Sequence, residues 1–404
     1  MSMRRREFLK TTVGMPVLAS LTTAIPPVLM RAALASADSH SAGQTALVVV
    51  QLSGGNDGLN TVVPFTDDQY GRHRRTLRLT AGEVLKIDDH LGFHPAMEGM
   101  ARLMAEGRLG VIQGVGHEAN DRDHDVAMRD WHTAQPGDTG CETGWMGRAI
   151  DAIEMPDRIA AAGVFVGPIP KPLGITARRS VVPHVRSLRD LTLTGSDAAD
   201  ALNPDQPVTS EPAATEPTTD NPMLEHVRRG AVAARLGSRQ VQEVLKASAT
   251  GGPYPNSPLA GQLKMIAELI RADLGIRFFF AELGGGGIGG FDNHANQRDN
   301  HASLLAQLSA AVTAFMDDLT RAGLADRVAL VTFSEFGRTL AENGRRGTDH
   351  GAAAPMFLAG GRVRGGLIGP HPNLTDLDGD SPRPHTDFRR VYATLLEQWL
   401  GFDS

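Results

Sequence analysis

The chain has a single cysteine, Cys141, among 404 residues. One thiol excludes an intrachain disulfide and a zinc site built from clustered cysteines, and Cys141 reads as a small packed residue. Long basic runs are missing too, and the formal net charge is -6. Both features argue against nucleic acid as a partner. No internal repeat is present. The best apolar stretch, Val13 to Met30, is interrupted by Pro16, Pro26 and Pro27. It makes a poor membrane span, which needs about 20 unbroken apolar residues.

That stretch belongs instead to an export address. Arg4-Arg5-Arg6-Glu7-Phe8-Leu9-Lys10 has the twin-arginine pattern, and Ala35-Ser36-Ala37 is a small-x-small cleavage site. Residues 1–37 are therefore expected to be a twin-arginine signal peptide, handled by the twin-arginine export machinery and removed near Asp38. The mature protein would be periplasmic or secreted. Because this route carries folded proteins, a metal ion could be loaded before export.

The mature chain, 38–404, is long enough for a large α/β domain. Thr45–Leu52 is a continuous apolar run with β-branched residues, the mark of a strand buried on both faces, and Leu109–Val115, Ile276–Leu283 and Val328–Phe333 read as further strands of the same sheet. Gly163–Gly167 and the stretch from Ala354 read as further strands. Helical periodicity covers His94–Met104, Met223–Lys246, Leu259–Leu274, Ala302–Ala322 and Phe388–Leu400. Alternating strands and helices predict a mostly parallel sheet between two helical layers. Residues 197–222, rich in Pro, Thr and Asp, are expected to be a flexible insertion.

Chemistry-bearing side chains gather just past the strands. Ser53-Gly54-Gly55-Asn56-Asp57-Gly58 follows the first strand. Asp121-Arg122-Asp123-His124-Asp125 follows the second and precedes a helix, where an anion or a nucleophile can sit. A glycine run from Gly284 to Gly290 leads to Phe291-Asp292-Asn293-His294, with His301 one helical step on. Ser334-Glu335-Phe336-Gly337-Arg338 and Gly347-Thr348-Asp349-His350-Gly351 follow the Val328–Phe333 strand. Parallel sheets bring such ends to one edge. Carboxylates and neutral imidazoles massed there suit a divalent ion (Zn, Mn, Fe, Mg or Ca).

These motifs, with Tyr254-Pro255 and Leu259-Ala260-Gly261-Gln262-Leu263, resemble the bacterial domain-of-unknown-function family 1501 from about Leu47 to Gly401. That family is grouped with the alkaline-phosphatase-like superfamily of phosphatases, sulfatases and phosphomutases. The resemblance implies a three-layer α/β sandwich with a one- or two-metal site at the strands' carboxyl edge. It implies Asp57 as a ligand of a second ion, and Asp292, His294 and His350 as ligands of the first, with His301 competing for the place of His294. Asp349 would be a ligand or an orienting partner, and His385 is a weaker candidate. Glu335, a further candidate metal ligand, falls where relatives carry Asp-His, with Phe336 in the histidine's place. Many members of the family have Ser-His at the nucleophile seat, where this chain has Asp123-His124. Asp123 is thus a candidate metal ligand and catalytic carboxylate.

Two functions fit. The first is a metal-dependent hydrolase of a small anionic substrate, a phosphate or sulfate ester, with Arg122 and Arg338 as oxyanion partners. Their forked guanidinium groups match tetrahedral oxyanions. The second is a metal-binding or assembly protein that kept the fold and lost turnover.

Overall fold

A computed structural model describes residues 44–118, 121–153, 162–187, 252–285 and 290–402. The expected signal peptide, the 197–222 insertion and the Met223–Lys246 helix lie outside the described residues. The main sheet has nine strands. In chain order they are β1 (Ala46–Leu52), β2 (Leu109–Gly116), β3 (Gly163–Val166), β4 (His184–Val185), β5 (Phe278–Leu283), β6 (Val328–Phe333), β7 (Ala354–Gly360), β8 (Gly366–Ile368) and β9 (Thr386–Asp387). Spatially the order is β8-β2-β7-β6-β1-β5-β3-β4, with β9 beside β2. β1 pairs in parallel with both β5 and β6, while β7 runs antiparallel to β2 and β6. Every other pairing in the sheet is parallel.

Side chains on a strand alternate between faces, and β1 shows what each face meets. Val48, Val50 and Leu52 pack into one apolar cluster with α1 (Glu98–Ala105), α4 (Pro258–Arg271) and α5 (Gln297–Arg321). Leu47 and Val49 pack into a second cluster with α2 (His124–Thr133), α3 (Trp145–Ala152) and α6 (Phe388–Thr394). All seven β1 residues are buried, which explains why the run is apolar throughout instead of alternating. On the second face Trp131 stacks on Phe388 and Trp145 on Tyr392, with ring centroids 4.3 and 4.1 Å apart. The result is a three-layer α/β sandwich with a mostly parallel central sheet.

Local differences from the sequence reading have simple causes. The helix expected from His94 opens as a 3-10 turn, Pro95–Met97, whose Ala96 amide is capped by the His94 ring. The last helix ends in a π-turn, Leu395–Trp399. The strand from Ala354 is the reversed one. Consequently the excursion between β6 and β7 leaves from and returns to the same edge. Among the described residues no helix is long and apolar enough to cross a membrane.

Candidate metal centre

The carboxyl edge is organised by close backbone approach. Gly54 has φ +109°, and an added Cβ there would stand 2.5 Å from the Asp292 amide nitrogen, so only glycine lets the loops after β1 and β5 touch. Phe291 N–H donates to the Ser53 carbonyl at 2.9 Å. Glu335, directly after β6, accepts from the Gly54 amide at 2.8 Å. Arg338 and His350 form an isolated antiparallel bridge within the β6–β7 excursion. From the other side α2 delivers its first residue, His124.

These pieces aim donor atoms at one point. Asp292 Oδ1 lies 3.4 Å from His124 Nε2, 3.0 Å from His294 Nε2 and 3.2 Å from His350 Nε2. His294 Nε2 and His350 Nε2 are 2.9 Å apart. The opposite nitrogen of each ring is tied to an oxygen. His124 Nδ1 meets Glu335 Oε1 at 2.9 Å, His294 Nδ1 meets Asp349 Oδ1 at 2.9 Å, and His350 Nδ1 meets the Arg122 carbonyl at 2.6 Å. A carbonyl can only accept, so His350 Nδ1 carries a proton. An ionised carboxylate imposes the same tautomer on the other two rings. In the neutral form each ring then turns an Nε2 lone pair inward.

Converging lone pairs repel unless a cation or a shared proton separates them. His124 Nε2 is buried and has no hydrogen-bond partner. Ligand atoms about 2.0–2.1 Å from a tetrahedral zinc ion stand about 3.3–3.4 Å apart, close to the separations here. The residues present therefore fit a divalent ion held by His124, Asp292 and His350, whose ligand atoms lie within 4.8 Å of one another, and they place His294 Nε2 beside Asp292 and His350 as a fourth donor. Phe336, buried, stacks against the His350 ring with centroids 4.6 Å apart and lies 4.9 Å from that of His124. It packs beneath the imidazoles in the place where the resemblance implies a histidine.

The protonation tendencies agree with this arrangement. Burial opposes charge on Asp292, but the Arg338 guanidinium outweighs it and holds the carboxyl down at about 2. The bond to Glu335 raises His124, whereas burial lowers His350. Asp349 is held below the usual carboxylate range: burial works against it, and the bond from His294 prevails.

Other expected site residues stand elsewhere. Asp123 caps α2: its Oδ1 accepts from the Asp125 and Val126 amides at 3.0 and 3.2 Å. That occupies the N-terminal donors an anionic substrate would have used. The Asp123→Ala variant is expected to lose about 0.5–2 kcal/mol of stability, as N-cap removal does, while its metal content stays unchanged. Thermal denaturation and metal analysis check both halves. Arg122 turns its guanidinium to Asp380 Oδ1 and the Asp378 carbonyl, both at 2.6 Å, and contributes only its own carbonyl to the centre. Arg338 is buried, donating to the Gly54, Gly55, Thr348 and Phe291 carbonyls and to Asp292. It clamps the loops and has no face left for an oxyanion. Asp57 pairs with Arg74 and Gln297. His301 Nε2 faces Asn56 Oδ1 at 3.0 Å, and His385 Nε2 faces the Pro370 carbonyl at 3.0 Å.

Of the expected residues, Asp292, His294, Glu335, Asp349 and His350 come together. His124 completes the group in place of the expected Asp123, its neighbour. The available signal was the Asp-His order at a helix start: aspartate is a strong N-cap, which leaves the next residue as the one facing the sheet edge.

An α/β sandwich carrying a histidine-aspartate cluster on the carboxyl edge of its sheet is thus the class that fold and site define. The chain belongs to the family described as "Protein of unknown function (DUF1501)", which it matches over residues 44–403. No curated relative matches it in sequence. Similar solved structures include the C-terminal periplasmic domain of EcEptC from Escherichia coli, at 10% identity and TM-score 0.40, covering 91% of this chain and 85% of that one. The same domain in complex with Zn gives 10% identity and TM-score 0.36, with coverages of 80% and 75%. The lipoteichoic acid synthase LtaP from Listeria monocytogenes gives 10% and 0.38, with coverages of 91% and 76%.

Proposed function

We propose that this is an exported metal-dependent hydrolase acting on phosphate or sulfate esters through one divalent ion held by His124, Asp292, His294 and His350. The observation that carries the reading is the convergence of three imidazole Nε2 atoms on Asp292 Oδ1, each ring anchored through its Nδ1. Three nitrogens and a carboxylate oxygen suit Zn, Fe or Mn better than Mg or Ca. When bound, such an ion supplies Lewis-acid polarisation of an ester oxygen and activation of water. The chain's own part is to hold the donors still: Glu335, Asp349 and the Arg122 carbonyl orient the rings, and Arg338 fixes Asp292. Asp292 keeps 43% of its side chain exposed, so the centre faces solvent and a small anionic ester can approach. With Asp123 committed to the helix cap, attack by water is favoured over a covalent enzyme intermediate. Export by the twin-arginine machinery through residues 1–37 is part of the proposal.

A second reading, a metal-binding or assembly protein without turnover, is favoured by the engagement of both Arg122 and Arg338 elsewhere, which leaves neither guanidinium for the oxyanion. Metal analysis of the purified mature protein, together with a panel of chromogenic phosphate and sulfate esters, separates the two. Bound metal with turnover is the expected result. Bound metal with every ester untouched would select the second reading, and a protein that takes up no divalent ion would overturn both.

A further inference from the structure

The resemblance implies a second ion at Asp57, and the residues there do not fit one. Asp57 Oδ2 lies 2.5 Å from Arg74 Nη1 in an ion pair whose side chains are 3% and 0% exposed. Gln297 Nε2 donates to the same oxygen. All three nitrogens of Arg74 are engaged: Nη1 also reaches Asn60 Oδ1 at 2.9 Å, Nε the Leu340 carbonyl at 2.9 Å, and Nη2 the Thr339 carbonyl at 2.8 Å. A guanidinium cannot be deprotonated in a protein, so this positive charge is permanent.

Only Asp57 Oδ1, buried without a hydrogen-bond partner, could still meet an ion. No second donor set forms around it. His301 Nε2 faces Asn56, and Asn60 Oδ1 already accepts from Arg74 and from the Tyr70 hydroxyl. The ligand atoms that do gather within 4.8 Å of one another are those of His124, Asp292 and His350, with His294 beside the last two, and Asp57 is not among them. A divalent ion at Asp57 would have a single carboxylate oxygen; a guanidinium also touches Asp292 Oδ1, but there the imidazoles stand beside the carboxylate and here no such donors do.

We propose that Arg74 is a built-in cation occupying the electrostatic role of the second metal ion, so that the chain is a one-ion protein. The inference rests on reading the His124–Asp292–His294–His350 cluster as an ion site. It also sets the chemistry: two ions about 4 Å apart can clamp the attacking and leaving oxygens together, and that route is closed here. Arg74 cannot replace it, because its side chain is 0% exposed and all three of its nitrogens are bonded within the protein.

The test is an ion count. Purified protein is saturated with Zn2+, dialysed, and measured by elemental analysis and by titration calorimetry, beside the Asp57→Asn and His350→Ala variants. One ion per wild-type chain is expected. Asp57→Asn should keep that ion with affinity within about threefold of wild type and melt at a lower temperature, whereas His350→Ala should lose it. Two ions in the wild type, falling to one in Asp57→Asn, would overturn the inference and leave the histidine centre standing. One ion that survives His350→Ala and disappears in Asp57→Asn would overturn both, as would no ion at all. Should Asp57→Asn fail to fold, the wild-type count decides alone: one ion supports the inference and two refute it.

Discussion

The His124→Ala variant is expected to bind its divalent ion more than about 100-fold more weakly than wild type. Removing an orienting partner of a ligand typically costs about 10–100-fold, so loss of the ligand itself should exceed that range. Asp349→Asn, which weakens the anchor of His294 and leaves all four donors in place, supplies the comparison and should fall inside it. Asp123→Ala should leave affinity nearly unchanged although it alters the adjacent residue. That contrast across one peptide bond separates a ligand from a cap. Calorimetric titration with Zn2+ at pH 7.5 reads all three. Equal affinities for wild type and His124→Ala would remove His124 from the centre.

The same titrations carry a pH signature. In the metal-free protein the bond to Glu335 raises His124 above the ordinary histidine value of about 6.5. An entering ion must displace that proton, so affinity should decline as pH falls through the raised value, by about tenfold per unit while one proton competes. His350 is lowered by burial and begins to compete only at more acidic pH. For the metal-free protein the sign is opposite: the stability gained from charged His124 is fully present below its unfolded-state value. It is lost as pH rises through the raised one.

Arg338→Met is expected to destabilise the metal-free protein by about 3–5 kcal/mol, the range for removing one partner of a buried charged network. Most of the loss should come from carbonyls. The side chain is buried, and its departure strips donors from Gly54, Gly55, Phe291 and Thr348. An unsatisfied buried acceptor costs about 1–3 kcal/mol before relaxation. The Asp292 partner is 43% exposed, so its share of the ion pair is screened and small. Arg338→Lys should rescue little, since one ammonium cannot span acceptors on three loops. Urea unfolding monitored without metal gives the number. A loss below about 1 kcal/mol would show that the loops hold their places without the guanidinium.

The sheet was legible because β1, β2, β5 and β6 are apolar on both faces, and the parallel topology then puts their following loops on one edge. Asp292, His294, Glu335, Asp349 and His350 could be read as neighbours for the same reason. What one-dimensional reading could not provide was direction. Asp123 and His124 are adjacent and both ionisable, yet the helix start turns one to its own amides and the other to the edge. Arg74 lies at the end of an ordinary surface helix, Asp68–His73, and nothing in its neighbourhood marks it as the partner of Asp57. Arg338 resembled a substrate-binding arginine because its acceptors are main-chain oxygens, which leave no trace in residue types.

The register of β1 against β6, with Ala46 opposite Val328 and Gln51 opposite Phe333, sets when this edge can exist at all. That ladder joins the beginning of the described chain to a segment near its end, a contact of high sequence separation that forms slowly. Until it closes, the segments bearing residues 124, 292, 294 and 350 are separate ends of long, unclosed loops. An ion arriving then would have to close those loops with its own binding energy. Tight capture of an ion at this edge would accordingly require the finished sheet, and in a refolding experiment it should lag behind the burial of Trp131 and Trp145 against the sheet.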